Sequence, residues 1–205
     1  MVAHSGLHHC RSPHLALCEM YRVARRAVVV FEPYDGAAVR LAVRLGFGQD
    51  YEVAAVADNG LTHGGVRNTE IPNFVYRWTE AEVRKAIRSY DPIGRQRFAF
   101  HYATRVPWRR LELLRSRLYL GLVVLALPFL RLASLLMPRL ANNFAFVVEK
   151  PSLPADLHPW LAIRDGGVVL DRAWVRARYG PAGVADVGAP APDVGDALPP
   201  GGARA

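Results

Sequence analysis

Six side chains able to hold a metal or move a proton crowd the first eighteen residues: His4, His8, His9, Cys10, His14 and Cys18. Zinc sites favour recognisable ligand pairs. His14 and Cys18 make one, at i and i+4 of a helix, but the pair falls partly on the side that the helix turns to the core. No second pair stands elsewhere in the chain, so no metal site is expected. Nor can Cys10 and Cys18 be bridged on a shared helix, where eight residues at 1.5 Å rise set them roughly 12 Å apart. Farther along, Gly64-Gly65-Val66-Arg67-Asn68 offers backbone N–H groups to an anion, yet has no strand before it and no helix after it. It reads as a mobile, substrate-facing loop. Tyr76, Arg77 and Trp78 could stack on a substrate, although Trp78 is equally suited to a structural role beside a helix start.

The elements that must position these groups follow from patterning. Met1-Val2-Ala3 reads as the tail of a buried strand, and Ser5 to Arg11 as a polar loop. Ser12 caps a helix with Pro13 in its first turn. Pro13, Ala16, Leu17, Met20, Tyr21 and Ala24 share its apolar face, and Arg25-Arg26 suit its C-terminus. Ala27-Val28-Val29-Val30-Phe31 is β-branched without alternation, which predicts a strand buried on both faces, ended by Glu32-Pro33. The result is a βαβ unit. Asp35 is expected to cap a short helix running to Leu45 and stopped by Gly46. Residues 48–77 are loop-rich. Thr79-Glu80-Ala81-Glu82 is a capping box, with Trp78 and Val83 as a hydrophobic staple, and its helix closes at Asp91-Pro92. Arg97–Tyr102 and Phe144–Glu149 alternate as strands and could pair at one edge of a sheet. In open α/β sheets ligands bind beyond the carboxyl ends of strands. The Ser5–Arg11 and Glu32–Gly36 loops would therefore line one crevice.

Composition narrows the class. The 205 residues are 51% hydrophobic and 21% charged, which argues against a wholly disordered or fibrous chain. Net charge is +8, but only two of the 26 basic residues are Lys (Lys85 and Lys150) and the arginines are scattered. No specific nucleic-acid partner is expected. The N-terminus carries neither a basic nor an apolar signal region, so a cytoplasmic location is expected. Leu118 to Leu130 is uncharged between Arg117 and Arg131, which is short of the roughly 20 residues of a spanning helix. It is expected to form a buried or lid-forming helical pair, the alternative being a peripheral membrane helix over 118–137. From Gly180 the Gly/Pro/Ala tail (180–205) is expected to be disordered.

Ser5-Gly6-Leu7-His8-His9-Cys10-Arg11-Ser12-Pro13, then Ala16 to Val23 with Glu19-Met20-Tyr21-Arg22-Val23, then Val28-Val29-Val30-Phe31-Glu32-Pro33, resembles the second half of a class I S-adenosylmethionine-dependent methyltransferase of the type 11 group. That group shows a strand, a Leu-His-His turn, a helix ending in Glu-x-x-Arg-Val and a strand ending in an acid. Tyr76-Arg77-Trp78-Thr79 resembles its entry to the next helix. The resemblance covers roughly residues 1–150. It implies an α/β, partial Rossmann-like sheet of parallel strands plus a C-terminal antiparallel pair, with a helical insertion at about 107–140 and a C-terminal extension at 151–179.

The resemblance further implies S-adenosylmethionine as cofactor, with Ala3, His4 and Ser5 beside its methionine end. It directs His8 and His9 toward a small-molecule or lipid-like acceptor, with Tyr76, Arg77 and Trp78 as further substrate contacts. His9 is the candidate base, since a histidine titrating near 6.5 suits proton removal. No Gly-x-Gly follows an N-terminal strand here, and the chain starts at what would be the family's fourth strand. The N-terminal cofactor-binding half is therefore expected to be missing, and weak cofactor binding is expected. The alternative function is a non-enzymatic membrane-surface or partner-binding protein using 118–137.

Overall fold

The computed structural model describes residues 1–46, 48–105 and 117–180. The chain opens with β1 (Val2–His4), a 3-10 turn at Leu7–His9, and α1 (Pro13–Val23). The Ser12 hydroxyl accepts the Leu15 N–H at 3.4 Å, and Pro13 sits at the first helical position, as the capping pattern predicts. β2 (Ala27–Pro33) follows. Next come α2 (Ala37–Arg44), α3 (Val53–Asp58), α4 (Glu80–Tyr90), β3 (Arg97–Ala103), α5 (Arg117–Leu136) and β4 (Asn143–Glu149). The sheet order is β1-β2-β4-β3. β1 and β2 are parallel, whereas β4 runs antiparallel to both β2 and β3. The fold is mixed α/β on a mixed sheet, and the two alternating strands do pair at its edge.

Period-two geometry builds the core. Val28, Val30 and Glu32 share one face of β2, opposite Val148, Phe146 and Phe144 of β4, which in turn oppose Phe98, Phe100 and Tyr102 of β3. Leu17 and Tyr21 of α1, with Trp78, Val83 and Ile87 at and in α4, close this face. The Tyr21 hydroxyl donates to Asp91 at 2.7 Å, tying α1 to the end of α4. α4 starts as its sequence predicts: Thr79 accepts the Glu82 N–H, and Glu82 accepts the Thr79 N–H at 2.8 Å.

Three expectations need correction. β2 is not buried on both faces: Val29 is half-buried and Phe31 is 42% exposed. Its apolar run reflects one packed face plus β-branched strand propensity, not two covering layers. Asp35 does not cap α2. Gly36 occupies that position, and the Asp35 carboxylate instead accepts from Arg40 at 3.2 Å. The apolar segment is one continuous helix, α5, with Pro128 inside it, and among its described side chains Phe129 is 71% and Leu136 73% exposed. Among the described residues no helix is long and apolar enough to cross a membrane. The expectation for the tail concerns residues that, from 181 on, lie outside the described ones.

A second unit starts at Pro159. β5 (Leu161–Arg164) and β6 (Gly167–Leu170) form an antiparallel hairpin. Its turn residues Asp165 and Gly166 both have positive φ, +50° and +79°, as the twist-matched two-residue turn requires. α6 (Arg172–Tyr179) follows, capped by Asp171, whose carboxylate accepts from the Ala173 and Trp174 N–H groups.

Candidate functional site

Glu32 is the last member of the core row of β2, a carboxylate where patterning calls for an apolar side chain. It is fully buried and completely satisfied. Its Oε1 accepts the Gly6 and Leu7 N–H groups at 2.8 and 2.7 Å, and its Oε2 lies 2.6 Å from His8 Nδ1. Ser5 turns the chain for this: its φ of +48° is left-handed, and its N–H donates to the Phe31 carbonyl at 2.8 Å. A non-glycine residue held there marks a bend imposed by its surroundings. The loop after β1 is thereby fastened to the end of β2.

Two further groups arrive from the loop-rich segment. Residues 50–52 and 73–75 run antiparallel: the Glu52 N–H donates to the Asn73 carbonyl at 2.9 Å and the Val75 N–H to the Asp50 carbonyl at 2.8 Å. This places Glu52 and Asn73 against the histidines. Glu52 Oε1 lies 3.5 Å from His8 Nε2 and Glu52 Oε2 3.7 Å from His9 Nε2, while the Asn73 amide is 2.6 Å from His9 Nδ1. The two imidazole centroids are 4.3 Å apart. Burial alone would push the His8 pKa down. The hydrogen bonds and charges of Glu32 and Glu52 outweigh it and raise it to about 9, so His8 is an imidazolium at neutral pH. Glu52 is held below the usual carboxylate range, chiefly by His8, against the opposing effect of burial.

The expected site residues divide into groups. Ala3, His4 and Ser5 stand together at the end of β1, where Ala3 packs on the core and the His4 ring lies 5.7 Å from that of Phe31. His9 keeps an open side chain, 43% exposed, whereas that of His8 is only 4% exposed, enclosed between carboxylates. Tyr76 and Arg77 line a cleft of about 390 Å³ together with Asp35, Arg40, Asp50 and Glu82. The Tyr76 hydroxyl donates to Glu82 at 2.8 Å; burial and that carboxylate push its pKa up. Arg77 pairs with Asp50 at 3.0 Å and donates to the Gln49 carbonyl. Trp78 does not line this cleft. It is fully buried in the core. The His14 ring packs 4.8 Å from Trp78 and 5.3 Å from Tyr76.

Sequence reasoning passes over Glu52 and Asn73. Their only local signal is loop composition, and their placement depends on a pairing some twenty residues long in sequence. Glu32 reads from sequence as a strand terminator; its position in the period-two core row is the signal that could have singled it out. Comparison of the chain with protein-family models, curated proteins and solved structures found no match.

Proposed function

We propose that this chain supplies the acceptor side of a class I methyltransferase sheet and takes part in S-adenosylmethionine-dependent methyl transfer. The observation that carries the reading is the parallel pair β1 and β2, with the loop after β1 fastened to the end of β2 by Glu32. An antiparallel pair beside it matches what the resemblance implies.

The fit to the cofactor is partial. A Cβ on Gly6 would meet only the His4 carbonyl, at 3.8 Å, so the backbone beside His4 and Ser5 is open to a ligand's approach. The Gly6 and Leu7 N–H groups are already taken by Glu32, which leaves few donors for a carboxylate. A weak contact with the methionine end suits such a wall. When bound, the cofactor supplies a sulfonium-borne methyl carbon for in-line displacement. His9, held at Nδ1 by Asn73 and with its side chain 43% exposed, takes up the acceptor's proton. The cleft beside Tyr76 and Arg77 holds the acceptor. Its lining carries Asp35, Arg40, Arg44, Asp50, Arg77 and Glu82, which favours a small polar acceptor over a lipid-like one.

Amide NMR of the labelled chain during titration with S-adenosylmethionine tests this. Shifts confined to Ala3–Ser5 and the facing end of β2 are expected at about millimolar ligand, worth about 4 kcal/mol of binding, without micromolar calorimetric heat. Unperturbed β1 amides at such concentrations would overturn the reading.

A second reading rests on α5. Leu125, Phe129, Leu132 and Leu136 are all strongly exposed and recur at helical spacing along one stripe. This supports membrane-surface or partner binding. Co-sedimentation with anionic vesicles that disappears on Leu125→Ser, Phe129→Ser and Leu132→Ser favours it; unchanged pelleting counts against it.

A further inference from the structure

We propose that His8, His9 and Glu52 form a three-ligand site for one divalent transition metal of the zinc class, with a coordination position open to solvent. The inference stands independently of the methyl-transfer reading.

The separations carry it. Each oxygen of Glu52 faces a different imidazole Nε2, at 3.5 and 3.7 Å, and the three ligand atoms lie within 4.8 Å of one another. These are poor hydrogen-bond lengths. Ligand atoms about 2.0–2.2 Å from a tetrahedral zinc, however, stand about 3.3–3.5 Å from each other. Glu52 Oε2 is buried and has no hydrogen-bond partner, and a cation would satisfy it.

The far sides of both rings are held in the way ligating histidines require. His8 Nδ1 is bonded to the buried Glu32 carboxylate at 2.6 Å, so one proton stays on Nδ1, and an ion that displaces the second proton from Nε2 meets a lone pair there. Asn73, also buried, lies 2.6 Å from His9 Nδ1. The amide nitrogen faces it there; with the amide's oxygen and nitrogen exchanged, the oxygen would accept the Nδ1 proton and free Nε2 likewise. The exposed side of His9 gives the ion an entry path and room for a bound water. Two imidazoles and one carboxylate suit zinc and its neighbours rather than magnesium or calcium, which take oxygen donors. An ion there lowers the pKa of its water toward neutrality.

The test uses the full chain, stripped with chelator and titrated with zinc chloride by calorimetry, with retained metal counted after gel filtration. One equivalent bound at about micromolar affinity or tighter is expected. His9→Ala, at an exposed position, should weaken it more than about 100-fold, and Asn73→Ala about 10- to 100-fold. Cys10→Ser, Cys18→Ser and His14→Ala should leave it unchanged. Absence of stoichiometric zinc, uptake indifferent to His9→Ala, or uptake lost in the cysteine or His14 variants would each overturn the site. Glu52→Gln, with its fold checked by circular dichroism, should behave as His9→Ala; if it unfolds, His9→Ala decides.

Discussion

Replacing Glu32 by Gln removes one charge and almost no volume, so it isolates the electrostatics of the clasp. The amide oxygen can keep the Gly6 and Leu7 N–H groups, now 2.8 and 2.7 Å from Oε1. The NH2 group then points a donor at His8 Nδ1, where a carboxylate oxygen stood at 2.6 Å. Breaking a buried ion pair from one side costs about 3–5 kcal/mol. Glu52 remains 3.5 Å from the other nitrogen, which places the expected loss near the lower end, about 3 kcal/mol. A pKa raised from 6.5 to about 9 gives a consistent figure, since each unit is worth about 1.4 kcal/mol.

The sign follows from linkage. Below pH 6.5 folded and unfolded chains both carry the His8 proton, and the contribution is complete. Between 6.5 and about 9 only the folded chain holds it, so stability falls as pH rises and the contribution is gone above about 9. Urea unfolding of chelator-treated protein at pH 6.0, 7.5 and 9.5 measures this. Glu32→Gln should show its full deficit at pH 6.0 and a much smaller one at pH 9.5. A deficit below about 1 kcal/mol at pH 6.0, or one independent of pH, would refute the reasoning.

Other expected outcomes are more local. Thr79→Ala removes the N-cap bond of α4 and should cost about 1 kcal/mol in urea unfolding. Trp78→Ala opens a cavity beneath Phe146 and should cost about 3–5 kcal/mol by the same assay. Gly65→Ala drives a Cβ into the Ile71 carbonyl oxygen; a loss of about 1–3 kcal/mol is expected, with faster proteolysis of residues 60–73.

What could be read from the sequence depended on how local its cause was. The capping box at Thr79–Glu82 and the alternation of Arg97–Tyr102 and Phe144–Glu149 involve neighbours in the chain, and both recur in the structure. So does Ser12-Pro13 at the head of α1. The burial of β2 depended on which layers cover the sheet, and an apolar run carries no such information: Phe31 stays open. The Asp35 cap failed because Asp35 was drawn to Arg40 and the chain entered α2 one residue later, at Gly36. The helical pair expected over the apolar segment is one helix, with Pro128 inside it. In the second unit, Asp165-Gly166 was a readable hairpin signal within a stretch read only as a C-terminal extension. At the site, His8 and His9 were visible as a pair. The acids and the amide that give them a role come from β2 and from the 50–52 and 73–75 segments, and only the folded chain joins them.

Glu32 grips the main chain at Gly6, and a main-chain N–H exists whatever residue stands there except proline. Gly6 has an ordinary negative φ of −124°, and a Cβ there would meet nothing closer than 3.8 Å. Evolutionary pressure on this fastening is therefore lopsided: the acid is pinned while the residue it holds is free to drift. Among descendants of this chain, position 32 would stay fixed beside a position 6 that wanders through small and polar types.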